Sequence, residues 1–207
     1  MPRTHRRKSA DRRDEILNVA SQLFIEFGPS RTTTRQIARE IGISQPSLYA
    51  HFPTKEALSH ALATRAFGLL EARMAQTDTT QISPHATNSK HHLSTLIEGY
   101  IDFALEESAA YKIAFMIDLN LEQDQIVILQ NLVGLRAFSI FQAKIEELQR
   151  ADFIKSGPSD LIAQSIWAAM HGLCALLLAR PRFPWADRAA LIACHVDLIV
   201  QGAQSDA

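Results

Sequence analysis

The positions of the prolines limit most strongly what this chain can fold into. Its eight prolines lie at positions 2, 29, 46, 53, 84, 158, 181 and 184, so none lies between 85 and 157. Because proline ends or kinks helices, long helices fit only in the intervals between prolines. The 207 residues include 29 Ala and 23 Leu but only 5 Val. Ala and Leu lose little on entering a helix, whereas strands favour β-branched residues, so the sequence predicts an all-α fold.

The formal net charge of -1 hides an uneven distribution of charge along the chain. Residues 1–60 carry 10 Lys and Arg against 6 Asp and Glu, whereas residues 61–207 carry 11 against 16. The overall balance would argue against a nucleic-acid partner, because affinity for phosphate comes from clustered Lys and Arg. The uneven distribution of charge predicts instead a basic N-terminal module joined to an acidic C-terminal one.

The basic module contains the pattern of several short helices. Apolar residues at helical spacing predict a first helix over 16–27, which Gly28 ends. Thr33 and Gln36 have the form of a capping box for a short second helix, which ends at Gly42. The second helix is thus expected to be short and to end in a tight turn.

A third short helix follows the glycine turn. Ser44 can cap it, Pro46 fits its first turn, and Pro53 ends it. A fourth helix is predicted over 55–75. Two short helices around a tight turn, packed under a longer first helix, predict a helix-turn-helix. The outward face of the third helix would carry side chains that can form directed hydrogen bonds to bases and phosphates: Gln45, Ser47, Tyr49 and His51.

Four segments together carry a resemblance to a known family. They are residues 32–38, 42–44, 45–52 and 55–58, and they resemble the N-terminal DNA-binding domain of the TetR (tetracycline-repressor-like) family, over about residues 12–62. The resemblance implies a homodimeric transcription regulator, usually a repressor, that binds a pseudo-palindromic operator. It also implies that the C-terminal helices bind a small molecule and dimerise.

The resemblance also implies which residues would contact double-stranded DNA. One group would meet base edges in the major groove: Gln45, Pro46 and Ser47. Arg35 would reach a base or a phosphate, and the remaining group would hold phosphates: Thr34, Tyr49, His51 and Lys55. Simpler roles stay open, since Arg35 could pair with Glu40 and Tyr49 could mainly pack in the core.

The sequence predicts four parts in the chain. Residues 1–9 form a basic disordered arm, which could also follow the minor groove. Residues 10–55 form the DNA-binding domain, and helix four, 55–75, connects it to a ligand-sensing and dimerisation domain at 76–207. In this last part a loop at 76–90 precedes helices predicted over these ranges: 93–107, 110–119, 123–153, 160–179 and 185–201.

Bulky and polar side chains of the C-terminal part are candidates for an effector pocket. Ordinary core packing is an alternative for each of them, but as a set they favour an apolar or aromatic effector. The candidates are Tyr100, Phe103, Phe115, Phe138, Phe141 and Trp167, with Gln164 and His171 as polar groups on one helical face. The spacing of Trp167, His171 and Gly172 resembles a tryptophan-histidine-glycine signature carried by one subgroup of TetR-like C-terminal domains.

Two helices near the C-terminus predict a dimer. Residues 161–179 carry no charge and are long enough to approach the length of a membrane span, but we interpret them as a helix buried on all sides, in the core or against a second subunit. With the last helix they predict a homodimer interface. The lack of an apolar run before Ile16, and a count of only two cysteines, predict a cytoplasmic protein without a membrane segment.

Residues that could carry enzyme chemistry are sparse. His171 and Cys174 lack an orienting carboxylate nearby in sequence, and His85, His91 and His92 are expected to be solvated loop residues rather than metal ligands. We therefore expect no enzyme activity, no cofactor and no metal. The alternative function is a helical ligand-binding or protein-interaction domain with a vestigial helix-turn-helix. A small-molecule enzyme is a third and weaker reading.

Overall fold

The structure is a computed structural model that describes residues 3–76, 89–119 and 134–204. This part of the chain is helical and contains no strand. In chain order its α-helices are α1 (Arg3–Phe27), α2 (Thr34–Ile41), α3 (Gln45–His51), α4 (Lys55–Gln76), α5 (Ser89–Glu106), α6 (Ser108–Phe115), α7 (Leu135–Arg150), α8 (Ser159–Ala179) and α9 (Arg188–Ala203). The all-α prediction is confirmed.

The described residues form two compact units. The N-terminal unit contains those up to Gly68 together with Ala109 to Leu119, and the C-terminal unit contains the others. The predicted boundary at 76 differs from this division, because α6 and the residues after it group with the N-terminal unit. The physical reason is apolar packing, since Ile113 and Leu119 are buried in the core that α1 to α4 form.

Glycines and hydroxyl caps set the helix ends in the N-terminal unit. Gly28 and Gly42 adopt φ values of 81° and 76°, in the left-handed region that favours glycine. The Thr33 hydroxyl accepts a hydrogen bond from the Gln36 N–H at 3.1 Å, and the Ser44 hydroxyl accepts one from the Ser47 N–H at 3.3 Å. These capping interactions agree with those expected from the sequence.

The start of α1 differs from the predicted disordered arm. The helix begins at Arg3, within residues 1–9 that the sequence predicts as an arm and before the predicted helix at 16–27. Between Pro2 and Gly28 the chain contains neither proline nor glycine, so no residue there ends a helix. The basic residues of this segment therefore belong to a helix in the structure.

In the C-terminal unit, α8 packs against α5, α7 and α9. Helix α7 ends at Arg150, earlier than predicted, because Asp152 adopts a φ of 59° that a helix does not continue through. Helix α9 starts at Arg188, later than predicted, because the Asp187 carboxylate caps it by accepting from the Ala190 N–H at 3.0 Å. The predicted start of the 123–153 helix lies outside the described residues.

Helix α8 is long and apolar enough to cross a membrane by length and composition, as core helices of other proteins also are. It is not buried on all sides within one chain. Its buried face includes Ile166, Met170 and Cys174, whereas Leu161 is 61% exposed and Leu176 is 52% exposed. Packing within one chain therefore covers one face of this helix and leaves an apolar face exposed.

Candidate nucleic-acid interface and aromatic cluster

The helix-turn-helix is built on a buried apolar core. Ile37 of α2 and Leu48 of α3 are fully buried, and they join the same core as Ile16 and Phe24 of α1. At the turn, the Ile43 N–H donates to the Ala38 carbonyl at 2.9 Å. The core and the turn fix α3 against α2, which leaves the other face of α3 directed outward.

Three of the predicted DNA-contacting side chains form one hydrogen-bond network between α2 and α3. The Gln45 amide N–H donates to the Thr34 hydroxyl at 3.1 Å, and the Thr34 and Tyr49 hydroxyl oxygens lie 3.1 Å apart. Tyr49 is 41% exposed, so it is mainly a surface residue rather than a core one. The network orients Gln45 and Tyr49 relative to the start of α2 before any partner binds.

The other residues of this surface lie close by. Pro46 and Ser47 are exposed at the start of α3, and Arg35 is exposed at the start of α2. Arg35 forms no ion pair with Glu40 or with any other residue that the structure describes. The alternative in which Arg35 serves an internal ion pair is therefore not supported.

Arg13 holds the C-terminal end of α3. The sequence did not predict this contact. The Arg13 guanidinium donates to the His51 carbonyl at 2.8 Å and lies 4.1 Å from the centre of the Phe52 ring. A cation over an aromatic face adds to the hydrogen bond. The two partners lie nearly forty positions from Arg13 in sequence, and no local pattern signals such a distant contact.

Lys55 has a structural partner as well as a predicted role at a phosphate. Its ammonium group donates to the Pro29 carbonyl, which ties the start of α4 to the segment after α1. At the same helix end, hydrogen bonds from the Glu56 backbone N–H and the Thr54 hydroxyl lower the pKa of the Glu56 carboxyl. Lys55 thus lies where the first turn of a helix already attracts negative charge.

The C-terminal unit contains a cluster of aromatic side chains around Trp167, which we name the aromatic cluster. The Tyr100 ring lies 4.8 Å from the Trp167 ring, and the rings of Phe138 and Phe141 each lie 5.5 Å from it at an interplanar angle of 77°. Such edge-to-face contacts are favourable. Three helices, α5, α7 and α8, meet at this point.

His171 adds a polar group to the aromatic cluster. It lies one turn after Trp167 on α8, and its Nδ1 is 3.1 Å from the Tyr100 hydroxyl oxygen. Partial burial removes water from the imidazole and lowers the pKa of His171, so the neutral ring is favoured. A neutral Nδ1 without a proton can accept the Tyr100 hydrogen bond, and the tautomer then follows from that bond.

The remaining pocket candidates lie elsewhere. Phe103 is buried on α5, one turn after Tyr100. Phe115 belongs to the N-terminal unit, where its ring packs against Phe67 at 5.5 Å and Tyr111 at 5.2 Å. Gln164 is exposed on α8. The structure therefore groups five of the eight candidates and does not group Phe103, Phe115 or Gln164 with them.

Two further residues of the C-terminal unit, His92 and Cys174, are buried and unsuited to reactive chemistry. The expectation that His92 is a solvated loop residue is wrong, because its side chain is buried on α5 and stacks on Phe153 at 5.7 Å. Burial raises the pKa of the Cys174 thiol to about 12, so the nucleophilic thiolate is suppressed. The described residues contain no group of three His, Cys, Asp or Glu side chains that could hold a metal ion.

Comparison with known proteins gives matches along most of the chain. Residues 16–62 match the family model described as bacterial regulatory proteins, tetR family, and residues 93–199 match the tetracyclin repressor-like C-terminal domain. The first match covers the helix-turn-helix, and the second covers the helices that form the aromatic cluster.

One curated relative is the HTH-type transcriptional activator FasR of Mycolicibacterium smegmatis. It is 30% identical over 105 residues, which are 51% of this chain and 46% of that protein, so the chain spans about half the length of this relative. Edwardsiella ictaluri contains another relative, the nucleoid occlusion factor SlmA, which is 26% identical over 200 residues, 90% of this chain and 95% of that protein.

Solved structures share the fold at lower identity. A bacterial regulatory protein of the tetR family from Rhodococcus RHA1 superposes with a TM-score of 0.77 at 19% identity, over 94% of this chain and 98% of that one. Because the second family model alone covers more than half of the residues, the comparison identifies the family directly. This chain belongs to the TetR family of bacterial regulatory proteins.

Proposed function

We propose that this protein is a homodimeric repressor that binds a pseudo-palindromic operator and is released by an apolar or aromatic small molecule. TetR-family regulators bind DNA and small-molecule effectors, and the proposal assigns these roles to particular residues of this chain. Its place of action would be the cytoplasm, where the chromosome of a bacterium lies. FasR is named an activator, so the sign of regulation is a separate part of the proposal.

The observation that carries DNA binding is the oriented polar surface of α3. Gln45, held by Thr34, stands beside the exposed Pro46 and Ser47 at the first turn of the helix. In helix-turn-helix proteins the N-terminal residues of the second helix meet base edges in the major groove. Gln45 would bond a base, Pro46 would contact a thymine methyl group, and Ser47 would bond either a base or a phosphate.

DNA selection from a random pool followed by gel-shift titration tests this assignment. Gln45→Ala should weaken binding to the selected sequence by about 5- to 150-fold, since one good base contact discriminates by about 1–3 kcal/mol. Gln22→Ala is the matched control, because Gln22 is exposed on α1 and is not one of the predicted DNA-contacting residues. If wild-type protein selects no sequence, DNA binding fails and the vestigial alternative is favoured. If Gln45→Ala binds the selected sequence as tightly as Gln22→Ala does, the base contact assigned to Gln45 fails.

The exposed faces of α8 and α9 support the homodimer. Leu161 and Leu176 of α8 are more than half exposed, and Leu198 of α9 is 64% exposed. An added Cβ at Gly172 on α8 would meet open space, so another helix could approach closely there. Apolar faces of this kind on two neighbouring helices are typical of protein interfaces. Two copies related by a two-fold axis would then bind two half-sites about 34 Å apart or somewhat more.

The aromatic cluster supports an apolar or aromatic effector. Small-molecule sites are lined mainly by hydrophobic rings with a few placed polar groups, and here the polar pair is Tyr100 and His171. One solved relative, FadR from Bacillus subtilis, was crystallised with stearoyl-CoA; it is 19% identical over 92% of this chain and 98% of that one, with a TM-score of 0.73. We therefore include a long-chain acyl thioester among the first probes, with aromatic acids as the contrasting class.

Release of bound DNA tests the effector site. A true effector should lower DNA affinity by about 5- to 150-fold, which corresponds to a typical coupling of about 1–3 kcal/mol. Phe138→Leu should raise the effector concentration needed for release, while DNA affinity without effector stays as in wild type. Leu135→Ala on the same helix, where Leu135 is exposed, is the control. If Phe138→Leu releases DNA at the wild-type effector concentration, the aromatic cluster is not the effector site.

A further inference from the structure

An open hollow lies between α2 and α3, and we name it the α2–α3 hollow. Its volume is about 720 Å³. It is lined by Thr33, Arg35, Gln36, Ala38, Arg39, Ile43 and Gln45. Most of these residues are polar or charged, which makes the hollow unsuited to an apolar effector. Two of them, Arg35 and Gln45, already belong to the proposed DNA-binding surface, so the hollow opens beside the recognition helix.

Arg39 is the member of this hollow that the DNA-binding assignment has not used. It lies four residues after Arg35 on α2, and residues at this spacing are neighbours on one helix surface. Both side chains are exposed, and neither has a hydrogen bond, an ion pair or a ring contact with any residue that the structure describes. Two positive charges thus face one hollow without an internal counter-charge.

This arrangement costs the helix some stability. Like charges at this spacing destabilise a helix by about 0.2–0.5 kcal/mol, and a cation at the position of Arg35, in the first turn of α2, opposes the helix dipole. Arg39 in the last turn interacts favourably with the dipole, but the dipole does not account for the pair. Local rules that a sequence breaks without internal compensation are expected at functional sites.

The chemistry of the hollow fits a phosphate group. Guanidinium groups offer planar, paired donors that match phosphate oxygens, and they do so better than ammonium groups. The Gln45 side chain borders the same hollow from α3, so an anion in it would lie next to the bases that α3 reaches. In helix-turn-helix complexes, the helix before the recognition helix crosses the DNA backbone.

We propose that Arg39, together with Arg35, binds a backbone phosphate of DNA in the α2–α3 hollow. This contact would fix the register of α3 on the duplex without reading sequence, since phosphate contacts position a protein and base contacts specify its site. The proposal rests on the proposed DNA-binding function and adds Arg39 as a contact residue.

Salt dependence of binding tests the role of Arg39. The probe is the duplex selected by wild-type protein, titrated over a range of salt concentrations. Each phosphate contact contributes about 0.9 to the slope of log affinity against log salt. Arg39→Gln should therefore lower the magnitude of the slope by about 0.9, and Arg39→Lys should keep it near the wild-type value. Arg150→Gln removes an exposed arginine at the end of α7 and should leave the slope unchanged.

The outcomes separate this proposal from the function on which it rests. If Arg39→Gln keeps the wild-type slope while Gln45→Ala loses affinity, DNA binding stands and the role of Arg39 is overturned. If wild-type protein binds the selected duplex without salt dependence, DNA binding stands and the phosphate contact of Arg39 is overturned. If wild-type protein selects no duplex, both proposals are overturned. Thermal unfolding of each variant shows whether a loss of affinity reflects unfolding, and Arg39→Lys, which keeps the charge, supplies the second comparison.

Discussion

At the scale of single residues, burial sets the protonation of two neighbouring groups on α8. His171 and Cys174 lie one turn apart on α8, and burial is the largest cause of the pKa shift in each. Desolvation disfavours the charged form, so the imidazole loses its proton more easily and the thiol keeps its proton. Both residues are therefore expected to be neutral in the folded protein near neutral pH.

His171 should make folding stability depend on pH. An unfolded histidine has a pKa of about 6.5, and that of folded His171 is lower. Below about pH 6.5 the unfolded chain binds a proton that the folded chain does not, so stability falls as the pH falls towards the folded pKa. One such proton contributes at most about 1.4 kcal/mol per pH unit. Urea unfolding between pH 7.5 and about 5 measures this dependence.

The variant His171→Gln isolates the contribution of this residue. Glutamine does not titrate but can still accept a hydrogen bond from Tyr100. We expect a weaker loss of stability on acidification in this variant than in wild type. An equal loss in the two proteins would assign the pH dependence to other groups.

Cys174 should be unreactive in the folded protein. Because its pKa is raised to about 12, almost no thiolate forms near pH 8. The measurement uses Cys194→Ser, since Cys194 is the second of the two cysteines and is exposed in a single chain. A disulfide reagent should react slowly with the folded variant and fast after addition of guanidinium chloride. Fast reaction without denaturant would show that the α8 core opens readily.

At the scale of elements, two glycines should respond to alanine in opposite directions. Gly68 lies inside α4, is exposed, and an added Cβ there would meet no atom within 4 Å. Gly68→Ala should raise the free energy of unfolding by up to about 1 kcal/mol, because alanine has the higher helix propensity. Gly42 ends α2 at a φ of 76°, so Gly42→Ala should lower it by about 1–2 kcal/mol.

Urea unfolding of both variants measures these changes in the free energy of unfolding. Each variant is a control for the other, because the same methyl group is added at both positions. The predicted signs depend on the backbone alone, because neither Cβ meets a neighbouring atom. If Gly68→Ala destabilised the protein, α4 would need the freedom of glycine at this point for a reason other than packing.

The sequence predicted elements well where a local signal sets them. The caps at Thr33 and Ser44 and the turn at Gly42 are encoded within a few residues, and the structure has them. The predicted end of α7 and the predicted start of α9 are wrong by a few residues. The first depends on the backbone conformation of Asp152 and the second on the cap at Asp187.

Long-range contacts account for what the sequence could not predict at the candidate sites. Arg13 contacts the end of α3 and Lys55 contacts Pro29, and neither pair has a local pattern. Phe115 and Phe138 are both phenylalanines in predicted helices, so the sequence gives them equal standing as pocket candidates. Phe115 nevertheless belongs to the N-terminal unit and Phe138 to the C-terminal unit. Residue type predicted candidates for a pocket, but only the packing of helices decides which rings meet.

At the scale of the whole molecule, the exposed leucines of α8 and α9 should decide the oligomeric state. Leu198→Glu places a charge in the proposed interface and should convert a dimer to a folded monomer. Leu135→Glu is the control, because Leu135 is also exposed but lies on α7. Analytical ultracentrifugation measures the mass, and circular dichroism reports the fold. A wild-type protein that sediments as a monomer at all concentrations would contradict the proposed homodimer.

A shift to monomer should also change DNA binding and stability together. A monomer presents one recognition helix, so binding to a two-half-site duplex should weaken. The thermal midpoint of wild type should rise with protein concentration, whereas that of Leu198→Glu should not, because association stabilises the folded state by mass action.

The packing of Trp167 has a spectroscopic consequence. The chain contains two tryptophans, and they lie in different surroundings. Trp167 lies between the rings of Tyr100, Phe138 and Phe141, whereas Trp185 lies in the α8–α9 connection, 4.4 Å from the exposed Phe183 ring. A Trp185→Phe variant would leave Trp167, in the centre of the aromatic cluster, as the single tryptophan of the chain. Its fluorescence would give the protein an intrinsic optical signal for events in that cluster, without an attached dye.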